Sequence, residues 1–341
     1  MSILITGGAG FIGTNLASHF LSKNVDVVIL DNLARVGTAS NLDWLRATHG
    51  DRHLTHVRAD VRDADAVARV VDRAEVVFHL AAQVAVTSSV EDPRLDFETN
   101  ALGTFNVLEA ARLSGHRPTI VFTSTNKVYG GMKGPAVVQE ETRYRYRDLP
   151  DGISEDQLLD FHSPYGCSKG AADQYVRDYA RIYDLPSIVF RMSCIYGPRQ
   201  FGTEDQGWVA YFTIASLLGR PITIYGDGKQ VRDILFIDDL VRALELAVQH
   251  IGVTAGQVYN IGGGPANAIS IWREFGEVLA TLVGREIPVT YRDLRPGDQL
   301  VYVSDTHKAA RGFGWQPRIS KGEGIERLVH WVRENVRLFR G

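Results

Sequence analysis

Short apolar runs alternate with amphipathic segments through the first half of the chain. "ILIT" (Ile3 to Thr6), "VDVVIL" (Val25 to Leu30), "LTHVRAD" (Leu54 to Asp60), "EVVFHLA" (Glu75 to Ala81) and "TIVFTS" (Thr119 to Ser124) are rich in β-branched and aromatic residues and predict strands. Between them, "GFIGTNLASHFLSK", "ADAVARVVDRA" and "FETNALGTFNVLEAARLSG" carry apolar residues at helical spacing. Continuous apolar strands divided by helices imply an α/β fold, a doubly wound parallel sheet covered on both faces. A helix over Pro164 to Tyr183 and a strand "SIVFRMS" (Ser187 to Ser193) continue the pattern. After about Gly197, Gly, Pro and aromatic residues become denser and the elements irregular, which predicts a smaller α+β lobe. The expected division is therefore 1–196 and 197–341, with the chain returning to the first domain around 232–261. The amphipathic C-terminal "GEGIERLVHWVRENVRLF" is expected to pack on its own domain.

Composition narrows the function classes. The 341 residues are 45% hydrophobic and 23% charged, with a net charge of −3, which gives no reason to expect a nucleic-acid partner. "RYRYRD" (Arg143 to Asp148) interleaves basic and aromatic residues but reads as a solvated loop. The two cysteines, Cys167 and Cys194, are too few for a metal cluster and indicate no disulfide framework, so a cytoplasmic setting is the default expectation. The N-terminal "MSILITGG" lacks a signal-peptide pattern, and no apolar stretch approaches the ~20 residues of a membrane helix.

"TGGAGFIG" places Gly7, Gly10 and Gly13 between a strand and a helix. Such glycines allow a tight turn, and the N–H groups opening the helix, Phe11 and Ile12 among them, would face a dinucleotide pyrophosphate. Asp31 ends the second strand about twenty residues on, with Asn32 beside it. It is placed to accept from ribose hydroxyls and to repel a 2′-phosphate, favouring NAD, although Arg35 nearby could tolerate NADP. Asp60, followed by Val61, suits the adenine amine equally well as it suits capping the helix in "RDADAVARVV". "HLAAQ" ends the fourth strand with Leu80, Ala81 and Ala82, small enough to let a cofactor lie against the backbone. His79 within it reads as a satisfied core histidine.

"SPYGCSKGAADQY" sets Tyr165 and Lys169 four residues apart, on one face of a helix that Pro164 opens. A phenol has an ordinary pKa near ~10 and needs neighbouring positive charge to act as a base at neutral pH. Lys169 is expected to supply it and to hold the nicotinamide ribose. In "STNKVYG" (Ser124 to Gly130), Ser124 and Thr125 close the fifth strand, where open α/β sheets bind ligands. The Thr125 hydroxyl could bond a reacting oxygen or merely its own loop.

Together these pieces, with "RMSCIYGPRQ", "GDGKQVRD" and "RPGDQ", resemble the extended short-chain dehydrogenases that act on nucleotide sugars, over essentially the whole chain. The resemblance implies a Rossmann-type domain and catalytic roles for Thr125, Tyr165 and Lys169. It also implies NAD contacts at the glycines, Asp31, Asp60, Asn100 and Ser124. Arg232 and Arg295 match diphosphate-holding positions, and Asp298 a nucleotide-ribose contact. Cys194 stands where many relatives have Asn, and reads as a small buried residue without a nucleophile's role.

"LDFHSPYGCSKGAADQY" and "GPRQFGTEDQGWVAYF", which contains Gln200, most resemble the epimerases that invert C2 of a CDP-linked sugar through a 2-keto intermediate. Inversion at C4 of a UDP-hexose and non-catalytic cofactor binding are the alternatives. Dehydratases of this family place Asp-Glu after the fifth-strand hydroxyl; here Asn126 and Lys127 stand there. An amide can hold a sugar but cannot protonate a leaving hydroxyl. The resemblance further implies a homodimer or homotetramer.

Overall fold

The computed structural model describes residues 2–294 and 298–340. β1 (Ser2–Thr6), β2 (Asp26–Leu30), β3 (Leu54–Val57), β4 (Val76–His79) and β5 (Thr119–Thr125) form a parallel sheet with the strands Ser187–Met192 and Val258–Ile261. The spatial order is Val258–Ile261, Ser187–Met192, β5, β4, β1, β2, β3. The chain therefore winds outward through β2 and β3 and restarts on the other side of β1 at β4. That reversal opens a crevice at the carboxyl ends of β1 and β4, the place where such sheets take ligands.

Alternation along the strands separates two cores. Ile3, Ile5, Phe78, Val121 and Phe190 belong to one face, and Leu4, Val77, Ile120, Phe122 and Val189 to the other. Both faces are covered by helices, so the strands show no polar side; each buried aliphatic side chain contributes about 1.5–3 kcal/mol. Asp63, not Asp60, caps the helix Ala64–Val71, accepting from the Ala66 N–H. Asp60 lies too early in the turn for that role.

The helix expected across residues 97–115 is interrupted. A π-helical turn, Glu98–Leu102, precedes the regular helix Gly103–Leu113. "RYRYRD" is not a free loop: Tyr144–Tyr146 forms a hairpin with Val137–Gln139. Its alternation puts Tyr146 inward, donating to the Val301 carbonyl, while Arg143 grips Glu274 through two hydrogen bonds.

The later residues build a second lobe around the strand Val231–Phe236. Its first half pairs with Ala268–Ser270 and Val301–Tyr302, and its second half with Cys194–Tyr196. The helix Ile237–Gln249 then packs back beside the helix Phe11–Leu21 in the larger core, and Val258–Ile261 becomes the sheet's edge strand. No helix among the described residues is long and apolar enough to cross a membrane.

Candidate active site

The turn after β1 is shaped by close approach. Gly7 has φ +70°, and a Cβ there would stand 2.8 Å from the Ala81 nitrogen. A Cβ on Gly13 would come 2.3 Å from the Gly7 carbonyl oxygen. Gly10 caps the helix Phe11–Leu21, and no side chain bonds its first-turn N–H groups, which leaves those of Phe11 and Ile12 pointed at the crevice mouth. A pyrophosphate fits this cradle.

Asp31 is buried at the end of β2, accepting from the Ala9 N–H at 3.0 Å and the Leu33 N–H at 2.8 Å. Its carboxylate thus orients the glycine turn as well as facing the crevice. Asn32 donates to Asp60 at 2.8 Å. Arg62 grips the same carboxylate through Nε and Nη2, both at 3.0 Å, and holds it down at about 2. Val61 is buried against Gly103. Leu80, Ala81 and Ala82 follow β4; Leu80 donates to the Thr6 carbonyl and Ala81 to the Thr6 hydroxyl.

Asn100 lies in the π-turn, 1% exposed, and works from behind this loop. It donates to the Gln83 carbonyl at 3.0 Å and accepts from the Gln83 N–H at 2.9 Å. Ser124 also turns away from the crevice, donating to Asp173 at 2.8 Å. His79 is fully satisfied by Thr6 and Thr104 hydroxyls at 2.7 and 3.0 Å, and burial, reinforced by Lys169, holds it down at about 3.

Tyr165 and Lys169 stand on the helix Ser163–Tyr183, one turn apart. Burial pushes the phenol up to about 12; the Thr125 hydroxyl hydrogen-bonds it and acts in the opposite direction, Asp96 raises it, and Arg35 lowers it. The expectation that Lys169 lowers the phenol is not met here. Its ammonium turns to the end of the interior strand β5, donating to the Thr123 carbonyl at 2.6 Å over the Phe122 ring. A long buried side chain takes the nearest strong acceptor, and the end of β5 offers one.

Thr125 caps the short turn Asn126–Tyr129, accepting from the Lys127 N–H. Asn126 is buried between Thr125 and Gln299, and Gln299 donates in turn to the Gly130 carbonyl at 2.6 Å. Arg232 donates to Asp298 at 2.7 Å, and Lys127 lies 3.6 Å from the same carboxylate. Two basic side chains share this one carboxylate, and burial, then Arg232, draws the Lys127 ammonium down while Asp298 opposes that. Arg295 lies outside the described residues. Gln200 is 3% exposed, donating to the Ile195 carbonyl and packed on Gly207, so it shapes the wall. Cys194 accepts from the Trp208 indole at 3.4 Å, and burial raises its thiol.

Lys127, Gln299, Asp96 and Asp173 complete the surroundings and were not among the sequence candidates. Lys127 and Gln299 do stand inside the motifs "STNKVYG" and "RPGDQ", and Asp173 is one turn beyond Lys169. Among the described residues, no group of three or more His, Cys, Asp or Glu side chains could hold a metal ion.

Residues 4–328 match the family model described as GDP-mannose 4,6 dehydratase, and the chain belongs to that family. It is an enzyme of the NAD-dependent epimerase and dehydratase class that works in nucleotide-sugar metabolism. It is 42% identical to CDP-paratose 2-epimerase of Salmonella typhi, over 97% of this chain and 99% of that one. The UDP-glucose 4-epimerase of Mycolicibacterium smegmatis is 36% identical, over 98% and 99% of the two chains. Among solved structures, the Thermus thermophilus UDP-glucose 4-epimerase in complex with NAD is similar with a TM-score of 0.81 at 34% identity, covering 98% of this chain and 99% of that one.

Proposed function

We propose that this enzyme uses NAD to invert C2 of a CDP-linked sugar, a conversion of the CDP-paratose to CDP-tyvelose type. The observation that carries this choice is the 42% identity, along nearly the full length of both chains, to a CDP-paratose 2-epimerase. Asn126 supports epimerisation over dehydration, since it offers a neutral amide where elimination needs a proton donor.

The turn Gly7–Gly13 and the helix start would hold the NAD pyrophosphate, and Asp31 the adenosine ribose. NAD supplies, when bound, an acceptor and then a donor of hydride. Tyr165, its phenolate favoured by the Thr125 hydroxyl and by the positive charge that bound NAD brings beside it, would take the C2 hydroxyl proton as that carbon becomes a ketone, while Thr125 bonds the reacting oxygen and the Lys169 ammonium would hold the nicotinamide ribose. The ketose turns in the site, and Tyr165 returns the proton on the opposite face. Arg232 and Lys127 would meet the diphosphate charge, and Asn126 and Gln299 the sugar. Exposed Phe105, Leu113, Tyr175 and Ile182 on the helices Gly103–Leu113 and Ser163–Tyr183 suit a homodimer.

The test is incubation with CDP- and UDP-sugars followed by NMR. Inversion at C2 of a CDP-sugar is expected. Inversion at C4 of a UDP-hexose would replace this reading with the one the Mycolicibacterium relative suggests. Near-normal turnover by Tyr165→Phe would overturn the mechanism.

A further inference from the structure

Two carboxylates are fully buried at the helix Ser163–Tyr183, Asp173 on it and Asp96 against it, and they are not equivalent. Asp173 is taken by Arg191, which grips both its oxygens at 2.9 Å. Asp96, on the short helix Pro93–Phe97, has only neutral hydrogen-bonding partners among the described residues. Its Oδ2 accepts from the Ser168 hydroxyl at 2.5 Å and its Oδ1 from the Asn100 amide at 3.1 Å. Burial raises its carboxyl, while the Ser168 hydrogen bond and the charge of Lys169 act to keep it a carboxylate.

Lys169 is adjacent to Ser168 and 3% exposed. Its ammonium meets the Thr123 carbonyl and the Phe122 ring, neither of which carries charge. A buried ammonium without a counter-charge gives up its proton. The Arg191–Asp173 pair is internally neutral. Among the described residues on and against this helix, that leaves Lys169 and Asp96 as a buried cation and a buried anion without a charged hydrogen-bonding partner.

We propose that Asp96 is a positioning residue: through Ser168 it fixes the turn that carries Tyr165 and Lys169, and its carboxylate is the counter-charge that keeps Lys169 an ammonium. Burial draws Lys169 down to about 7, with Asp173 and then Asp96 acting against that. The other titratable groups that act on it or that it acts on are Asp173 on its own helix and His79 on β4, the latter held neutral by burial. Asp96 opposes a phenolate at Tyr165, so its favourable action is on the charge of the lysine and not on the phenol.

This inference rests on the roles given to Tyr165 and Lys169, but its test does not need the substrate. Full-length protein labelled at lysine Cε is titrated by NMR, with the Lys169 signal identified by its loss in Lys169→Gln. Asp96→Asn should lower the Lys169 midpoint by about one pH unit or more. Ser168→Ala, which leaves the charge in place, should move it by less than half as much. On the active substrate, the high-pH limb of kcat should shift to lower pH in Asp96→Asn, a change that loosened packing alone would not produce. An unmoved Lys169 midpoint overturns the proposal even if epimerase activity is intact. Absence of epimerase activity in the wild type would instead sink the functional reading and leave the midpoint result standing. Should Asp96→Asn not fold, Asp96→Ser is judged by the same criteria.

Discussion

Tyr165 faces two opposing influences. Burial holds the phenol at about 12, and the Thr125 hydroxyl is the neighbouring group that most favours its ionised form. Thr125→Val should therefore lower kcat by about 10²-fold, leave KM nearly unchanged, and move the low-pH limb of the kcat profile upward. Initial rates across pH measure all three. Asn126→Asp should introduce an acid beside the sugar; with a CDP-hexose that keeps its C6 hydroxyl as leaving group, new 4,6-dehydratase product by NMR would support the role given to the amide, and unchanged turnover and binding would refute it. His79 offers a stability test. Folded, it titrates at about 3, against 6.5 for an unperturbed imidazole. Below 6.5 the unfolded chain takes up a proton that the folded chain refuses, so stability falls as pH drops from 6.5 towards 3. The Tm loss between about pH 7 and pH 5 should be smaller in His79→Gln than in the wild type.

At the scale of elements, the turn from β1 into the helix Phe11–Leu21 is the most tightly built. A methyl on Gly13 would meet backbone at 2.3 Å, so the helix start must move away from Gly7. Gly13→Ala should weaken NAD binding at least about tenfold, read by calorimetry, because the N–H groups no longer converge on the pyrophosphate. The π-turn Glu98–Leu102 is the second such element. It aims Asn100 both at the Gln83 backbone and, through Ser168, at the helix Ser163–Tyr183. Helical periodicity across 97–115 is legible in the sequence. The extra residue of a π-turn is not, because it alters the phase of the apolar pattern too briefly to register against it.

At the scale of the whole molecule, the strand Val231–Phe236 joins the lobes. It presents Arg232 at the site from one half and continues into the larger core with the other. Exposed apolar side chains lie on the helices Gly103–Leu113 and Ser163–Tyr183, where Phe105 and Tyr175 contact edge to face. Wild-type protein should run at twice the chain mass in light scattering, and Phe105→Glu with Tyr175→Glu should halve it. A monomeric wild type would refute the dimer.

The parallel sheet, its helices and the glycine turn could be read from local pattern, since a strand or helix buried on one core must show its period in consecutive residues. Thr125, Tyr165 and Lys169 could be singled out because their motifs are short and sit at strand and helix ends. What each side chain does there was decided by tertiary contacts across long separations. Lys169 turns to Thr123, 46 residues away, and Asn126 meets Gln299, 173 residues away. Asp96 is indistinguishable from a surface helix residue until Ser168 closes over it, 72 residues on. Burial set the Tyr165 phenol at about 12 and the Lys169 ammonium at about 7, and burial is a property of the packed molecule that no stretch of sequence contains.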